Sequence, residues 1–521
     1  MKAAIECDVL VVGGGINGCG IVRDAAGRGL TTVLCEKDDL AAHTSSASTK
    51  LIHGGLRYLE QFEFGLVRKA LAEREILMRA APHVIWPLQF VMPHVQGQRP
   101  AWVIRAGLML YDRLAARQVL ASSRRIDLSE HAAGGPLKDS YLQGFVYADA
   151  WVDDARLVVL NAMDAAERGA QICTRTACTA LHRSGNQWQA TLDHGDGCLT
   201  QVTARSVVNA TGPWAGMFLG ATAHGRVKHR VRLVKGSHIV VPKLFDHDYA
   251  YLFQHPDGRV IFAIPYEKSF TLIGTTDVEH GEDPGRVAIS AVETAYLCEA
   301  ASRYFNRAVV PENVVWSYAG VRPLFEDGAP TQGAGVDSPG RASAANVSRD
   351  YALQLDLQGA PMLSIFGGKL TTYRKLAEEA LDMLAPQLGA RAPAWTQHAC
   401  LPGGDLFGSV PSNRAVLEFD TWSRGMQARH AQLPAPLLRR YARAYGTRLE
   451  VVLAGCVSLS DLGAEIVPGL FAKEAQYLIK HEWARCAQDV LWRRSKLGLH
   501  LPASAAQVLD AWIAPRLGER A

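Results

Sequence analysis

The run Cys7-Asp8-Val9-Leu10-Val11-Val12, followed by Gly13-Gly14-Gly15-Ile16-Asn17-Gly18, constrains this chain more than any other feature. A short apolar, β-branched-rich segment ends in glycines at G-x-G-x-x-G spacing, and helix-compatible residues continue to Arg28-Gly29. Thr31-Thr32-Val33-Leu34-Cys35-Glu36 then reads as a second strand. Strand, glycine turn, helix, strand and acid, in that order, predict a βαβ unit that binds a dinucleotide. Gly13 permits the tight turn, Gly15 lets backbone N–H groups approach a pyrophosphate, and Gly18 lets the helix pack close to the strand. Glu36, about 20 residues further on, suits a ribose 2′-OH and repels a 2′-phosphate, which disfavours NADP. The competing reading is a glycine turn without a ligand.

Two later segments bear on which dinucleotide it is. Val207-Val208-Asn209 reads as a strand ending in Ala210-Thr211-Gly212, a pattern that flavoproteins carry near the cofactor. Leu363-Ser364-Ile365-Phe366 leads into a second glycine turn, Gly367-Gly368-Lys369, with a helix predicted over Leu370–Leu384. That helix start, with Gly368, Lys369, Leu370 and Thr371, would stabilise negative charge on a reduced flavin. Three separated segments converging on one cofactor favour FAD over NAD.

Composition excludes several other classes. The 521 residues are 48% apolar and 20% charged, enough for a large core and too long for one small domain. A net charge of +4 is weak evidence for nucleic acid, which is not expected as a partner. No apolar run approaches the roughly 18–20 residues that span a bilayer, and Glu6 and Asp8 are wrong for a signal peptide. The 10 cysteines never fall as C-x-x-C and the 17 histidines never as H-E-x-x-H, so no metal is expected. Scattered cysteines read as reduced, buried thiols of a cytosolic protein.

Gly13–Gly29, with Asp24 and Arg28, resembles the first signature of FAD-dependent glycerol-3-phosphate dehydrogenases, and Gly367-Gly368-Lys369-Leu370-Thr371-Thr372-Tyr373-Arg374 resembles the second. Thr44-Ser45-Ser46-Ala47-Ser48, Leu51–Leu59, Trp151–Leu157, Lys235-Gly236-Ser237-His238, Gly274-Thr275-Thr276-Asp277 and Gly320-Val321-Arg322-Pro323-Leu324 lie between them in the family's order. Val22 departs from the usual alanine, and Glu326–Asn346, rich in Gly, Ala, Ser and Pro, reads as an unusually long surface loop.

The resemblance implies an α/β fold. It comprises an FAD-binding Rossmann-like domain of the glutathione-reductase/D-amino-acid-oxidase type, a mixed-sheet substrate domain and a C-terminal helical domain. Expected boundaries are 1–80, 150–225 and 318–388 for the FAD domain, 81–149 and 226–317 for the substrate domain, and 389–521 for the helical domain. Helical periodicity marks Leu437–Tyr445, Ala472–His481 and Glu482–Leu497 in the last.

The implied activity is oxidation of sn-glycerol 3-phosphate to dihydroxyacetone phosphate, with electrons passing to ubiquinone. The enzyme would sit peripherally on the cytoplasmic face of the inner membrane, with its oligomeric state, homodimer included, left open. Such chemistry requires cations for a phosphate dianion, and Arg57, Arg322 and Lys369 are the candidates. Tyr58 and Thr275 are candidate substrate hydrogen-bonders. His238 is the candidate general base, on the expectation of a pKa near operating pH; a satisfied core histidine is the competing reading, and Arg322 is the alternative stabiliser of an alkoxide. His53 is a candidate flavin contact, with a cap of the turn before Gly54-Gly55 as the competing reading; Gly54 is assigned to the cofactor, and Thr44, Ser45, Ser46 and Ser48 to the pyrophosphate, against a plain N-cap cluster.

The Arg99–Arg125 stretch holds six arginines and one acid. As a helix it puts Val103, Ile104, Gly107, Leu108, Leu110, Tyr111 and Leu114 on one arc, with Arg105, Arg113 and Arg117 opposite. That pattern suits an in-plane helix on anionic lipid, or a core-facing helix with a solvated basic face. The rival functions are a related FAD oxidase of a phosphorylated alcohol or amine using O2, and an RNA-binding flavoprotein. The absence of aromatic-interleaved basic runs counts against the second.

Overall fold

The computed structural model describes residues 4–95, 99–222, 230–326 and 350–517. The expected loop therefore lies, beyond Glu326, outside the described residues. Strand Ile5–Val12 runs parallel between Thr32–Cys35 and Leu199–Asn209, and Met362–Gly367 adds parallel to the latter. The sheet runs Tyr351–Asp356, Met362–Gly367, Leu199–Asn209, Ile5–Val12, Thr32–Cys35, Gln171–Cys173, with the hairpin strands Ala177–Ser184 and Gln187–Asp193 pairing alongside. Val9, Leu10 and Val11 are wholly buried, as expected for a parallel sheet covered on both faces, by helices on one and largely by the 177–193 hairpin on the other. Helices Ile16–Gly27, Asp154–Glu167 and Tyr373–Leu388 provide one cover. The last starts three residues later than predicted, because Leu370–Thr372 form the turn that precedes it.

A second sheet has ten strands. Its long strand Arg230–Pro242 pairs antiparallel with Phe270–Gly274 and with Trp316–Glu326. Leu51–Ile52 and Gln143–Val152 also belong to it. The expected boundaries at 150 and 318 fall inside the strands Gln143–Val152 and Trp316–Glu326 of this sheet.

The C-terminal region packs helices Phe419–Arg429, Ala435–Tyr445, Ala472–Glu482 and Ser504–Ile513. The helix expected over Glu482–Leu497 is not continuous. Trp483 adopts the left-handed conformation (φ 57°) and ends the preceding helix, and Asp489 accepts from the N–H groups of Arg485 and Cys486 at the next start. The turns that follow, Asp489–Arg494, are π-helical, and both Arg493 and Arg494 ion-pair with buried Asp39 of the FAD domain. Among the described residues no helix is long and apolar enough to cross a membrane.

The arginine-rich stretch is helical only over Ala101–Arg113, and its surface is not the expected one. Arg105 donates to the carbonyl and hydroxyl oxygens of Ser123 (3.0 and 2.8 Å), and Arg117, beyond the helix, pairs with Asp112. Leu108 and Tyr111 point inward, whereas Trp102 (74% exposed), Val103, Met109 and Leu110 form the outer stripe. The outer face carries this apolar stripe with exposed Arg113 beside Met109 and Leu110, while Arg105 and Arg117 are committed to local structure.

Candidate functional site

Strand geometry explains which side chains meet. Side chains two apart along a strand share a face, so Val234, Gly236 and His238 line one wall, and Gly320, Arg322 and Leu324 of the paired strand line the same cavity. The register sets Val234 opposite Arg322 and His238 opposite Tyr318. Gly236 is required here, because a Cβ would lie 2.9 Å from both Arg322 Nη2 and Thr275 Oγ1.

Two cavities, of about 450 and 250 Å³, share Ile16, Thr44, Ser45, Pro323 and Gly368 and so form one continuous cleft. The larger is walled by the Gly13–Asn17 turn, Glu36, Ala42–Ser45 and Ala210–Gly212. Gly13 sits at φ 112°, with the Ala210 carbonyl 2.5 Å from where a Cβ would be, and at Gly18 a Cβ would collide with the Gly13 carbonyl. Glu36 accepts from Gly14 N (2.6 Å) and Asp38 N (2.9 Å); burial raises its carboxyl pKa, and the two N–H donors offset part of that rise. Ser45 Oγ accepts from Ile16 N at 3.0 Å, and Thr44 donates to Val321 O at 2.7 Å, tying the loop to the strand of Arg322.

Not every expected cofactor residue reaches this cleft. Ser46 caps its own turn through His43 O and faces a neighbouring cavity, whereas Ser48 lines the smaller cavity with its hydroxyl donated to buried Asp154 (2.7 Å). Each of these hydroxyls already donates its proton within the protein. Gly54 lies behind the wall, its N–H donated to Tyr111 Oη at 2.8 Å. His53 does line the smaller cavity, its backbone bonded to Thr371 Oγ1 and its imidazole pKa held down by burial.

The smaller cavity collects Tyr58, His238, Thr275, Arg322 and the Gly368-Lys369-Leu370-Thr371 turn. Lys369 Nζ stands 4.1 Å from the centre of the Tyr58 ring. Arg57, half buried on the same 3-10 turn as Tyr58, does not line it. His238 stacks on Tyr318 (ring centroids 4.8 Å apart), and its Nε2 lies 2.9 Å from Thr49 Oγ1. The expectation of a pKa near operating pH is corrected: burial first, then Lys50 and Arg322, depress it to about 3, so the ring is neutral.

Three residues were missed. Thr49 directs the His238 ring, Asp277 ion-pairs with Arg322, and Glu293 braces the loop behind both. Asp277 stood within a recognised motif, but its partner is 45 residues away and no local signal named the pair.

The cleft fits a flavin dinucleotide. The N–H-rich turn with Glu36 suits an ADP moiety, and buried Asn17 Oδ1 has no partner among the described residues at the junction where the second cavity begins. In the comparisons, residues 8–374 match the FAD dependent oxidoreductase family and residues 394–515 match the C-terminal domain of alpha-glycerophosphate oxidase. The chain is 50% identical over 499 residues to a glycerol-3-phosphate dehydrogenase of Pseudomonas aeruginosa (95% of this chain, 93% of that one). It is 46% identical over 511 residues to a D-erythritol 1-phosphate dehydrogenase of Brucella abortus (97% of each). A Bacillus halodurans glycerol-3-phosphate dehydrogenase complexed with FAD superimposes with a TM-score of 0.77 at 26% identity, covering 98% of this chain and 91% of that one. The cofactor of this protein is FAD, and the chain belongs to the FAD-dependent glycerol-3-phosphate dehydrogenase family.

Proposed function

We propose that this protein oxidises sn-glycerol 3-phosphate to dihydroxyacetone phosphate and hands the electrons to a membrane quinone. The observation that carries this reading is the smaller cavity, where Lys369, Arg322, Thr275, Tyr58 and a neutral His238 converge at the end of the FAD cleft. When bound, FAD supplies a two-electron acceptor for the hydride of the carbinol carbon. Lys369 holds the phosphate dianion, with Arg57 adding positive potential from behind Tyr58. Arg322 and Thr275 orient the secondary hydroxyl, and Arg322 stabilises negative charge as the hydroxyl proton departs. His238 receives that proton at its ring nitrogen. An arriving dianion favours the protonated imidazole and lifts its low pKa toward a useful range.

The exposed stripe Trp102, Val103, Met109 and Leu110 supports docking on a lipid surface at the cytoplasmic face of the inner membrane, where a quinone is reached. The Brucella relative supports a second substrate reading, a four-carbon polyol phosphate.

The test is anaerobic mixing of the yellow holoenzyme with sn-glycerol 3-phosphate, D-erythritol 1-phosphate or glycerol, followed by a short-chain quinone. Bleaching by glycerol 3-phosphate but not glycerol, reversed by quinone, is expected. Bleaching by erythritol phosphate alone would shift the substrate, and no bleaching by either would end the proposal.

A further inference from the structure

Arg322 already holds a carboxylate. Its Nη2 pairs with Asp277 and donates to Thr276 O at 3.1 Å, and Asp277 itself lines the smaller cavity. Asp277 is held in place from behind. Thr276 Oγ1 donates to Glu293 Oε1 at 2.9 Å and accepts from Ser237 N at 3.0 Å, Ser237 Oγ donates to the same Glu293 oxygen at 2.8 Å, and Lys235 Nζ lies 2.7 Å from the other. Ser237, Thr276 and Glu293 are buried, so the segment that presents Asp277 keeps its place without help from a ligand. Lys369 differs: among the described residues no carboxylate lies within ion-pair distance of it. The cavity therefore has two unlike poles, a cation without an ion-pair partner at Lys369, with Asp350 also on the wall, and a neutralised one at Arg322.

We propose that Asp277 is a specificity-determining residue. It sets the polarity of the bound phosphorylated alcohol, with phosphate at Lys369 and an uncharged, hydroxyl-bearing end at Asp277 and Arg322, and it rejects ligands that carry a carboxylate at that end. The inference rests on the phosphorylated-polyol reading above. A carboxylate oxygen accepts hydrogen bonds, so an alcohol end can donate to Asp277 while Arg322 keeps its pair. A ligand carboxylate has no proton to donate, meets like charge, and competes for Arg322. With Asp277 about one-third exposed (31%), solvent screens part of that repulsion, leaving an effect on the order of tenfold or more in affinity.

The experiment uses two ligands identical except at that end: dihydroxyacetone phosphate, and 3-phosphohydroxypyruvate, in which a carboxylate replaces the hydroxymethyl group. Each is titrated into oxidised holoenzyme and followed by the flavin spectrum, with inorganic phosphate as a third probe, for wild type, Asp277→Asn and Asp277→Ser. The wild type should prefer dihydroxyacetone phosphate, and both substitutions should shrink that preference about tenfold or more, mainly by tightening the carboxylate ligand. Inorganic phosphate should change much less. An unchanged preference with FAD retained overturns the proposal, as does equal tightening of inorganic phosphate, which would put the phosphate on Arg322. Loss of FAD from both variants would make Asp277 structural and also overturn it. If neither phosphorylated ligand perturbs the wild-type flavin, the substrate reading fails first and the role of Asp277 falls with it.

Discussion

Gly13→Ala should weaken FAD binding through backbone geometry alone. Gly13 lies at φ 112°, where an L side chain costs about 1–2 kcal/mol, and its new Cβ would sit 2.5 Å from the Ala210 carbonyl oxygen. A tolerable contact is about 3.1 Å, so the carbonyl must retreat by roughly 0.6 Å. It has little freedom to do so, because Ala210 N donates to Val12 O at 2.9 Å and the flanking strands are paired in register up to Val12 and Asn209. Overpacking against such a wall adds about 1–3 kcal/mol. If the apo turn relaxes and cofactor binding must restore it, a total near 3 kcal/mol becomes a rise on the order of a hundredfold in the FAD dissociation constant. The assay is flavin fluorescence on titration of apo-protein, beside urea unfolding of apo and holo forms. Gly107→Ala is the control: it lies mid-helix with nothing within 4 Å of its Cβ position, and should stabilise by about 1 kcal/mol. A Gly13→Ala protein with wild-type FAD affinity and holo stability would refute the reasoning, since it would mean that the turn is not tight.

Two other consequences are directly measurable. Replacing Trp102 and Leu110 with glutamine should release the protein from phospholipid vesicles while activity with a soluble dye acceptor persists; because the exposed stripe is apolar, salt should weaken wild-type binding less than this double substitution does, and the reverse order in a flotation assay would restore the electrostatic reading. His83, whose two ring nitrogens are buried without partners, and His238 both have pKa values of about 3 in the folded chain, below the unfolded value of about 6.5. Between those values the unfolded chain binds more protons, so stability falls as pH drops, by up to about 1.4 kcal/mol per pH unit for each histidine. His83→Phe, remote from the cleft, should remove one proton's worth of slope in urea unfolding from about pH 7 to pH 5, and an unchanged slope would show that His83 is hydrated.

The dinucleotide unit was legible in the sequence because its determinants are local. The turn at Gly13, the close packing at Gly18 and the acid at Glu36 all follow from dihedral preference and spacing within one βαβ unit, and the structure places them around one cavity. The Glu482–Leu497 helix was misread because Trp483 reverses the backbone and Asp489 caps a new start, choices made by burial of Arg493 and Arg494 against Asp39 some 450 residues away in sequence. The Ala101–Arg113 helix was legible only in part for a similar reason: a wheel grouped Val103 and Leu110 with Leu108 and Tyr111, but only the fold showed that the last two point inward and that Arg105 and Arg117 already have partners at Ser123 and Asp112. Motif resemblance pointed to His238 and Arg322 separately. Tertiary structure decided that they share a wall, through the antiparallel register of two strands distant in sequence, and that His238 is neutral and Arg322 paired with Asp277. Sequence spacing encodes the period of one strand or helix; which strand lies opposite, and how much water is excluded between them, depends on packing across the whole chain.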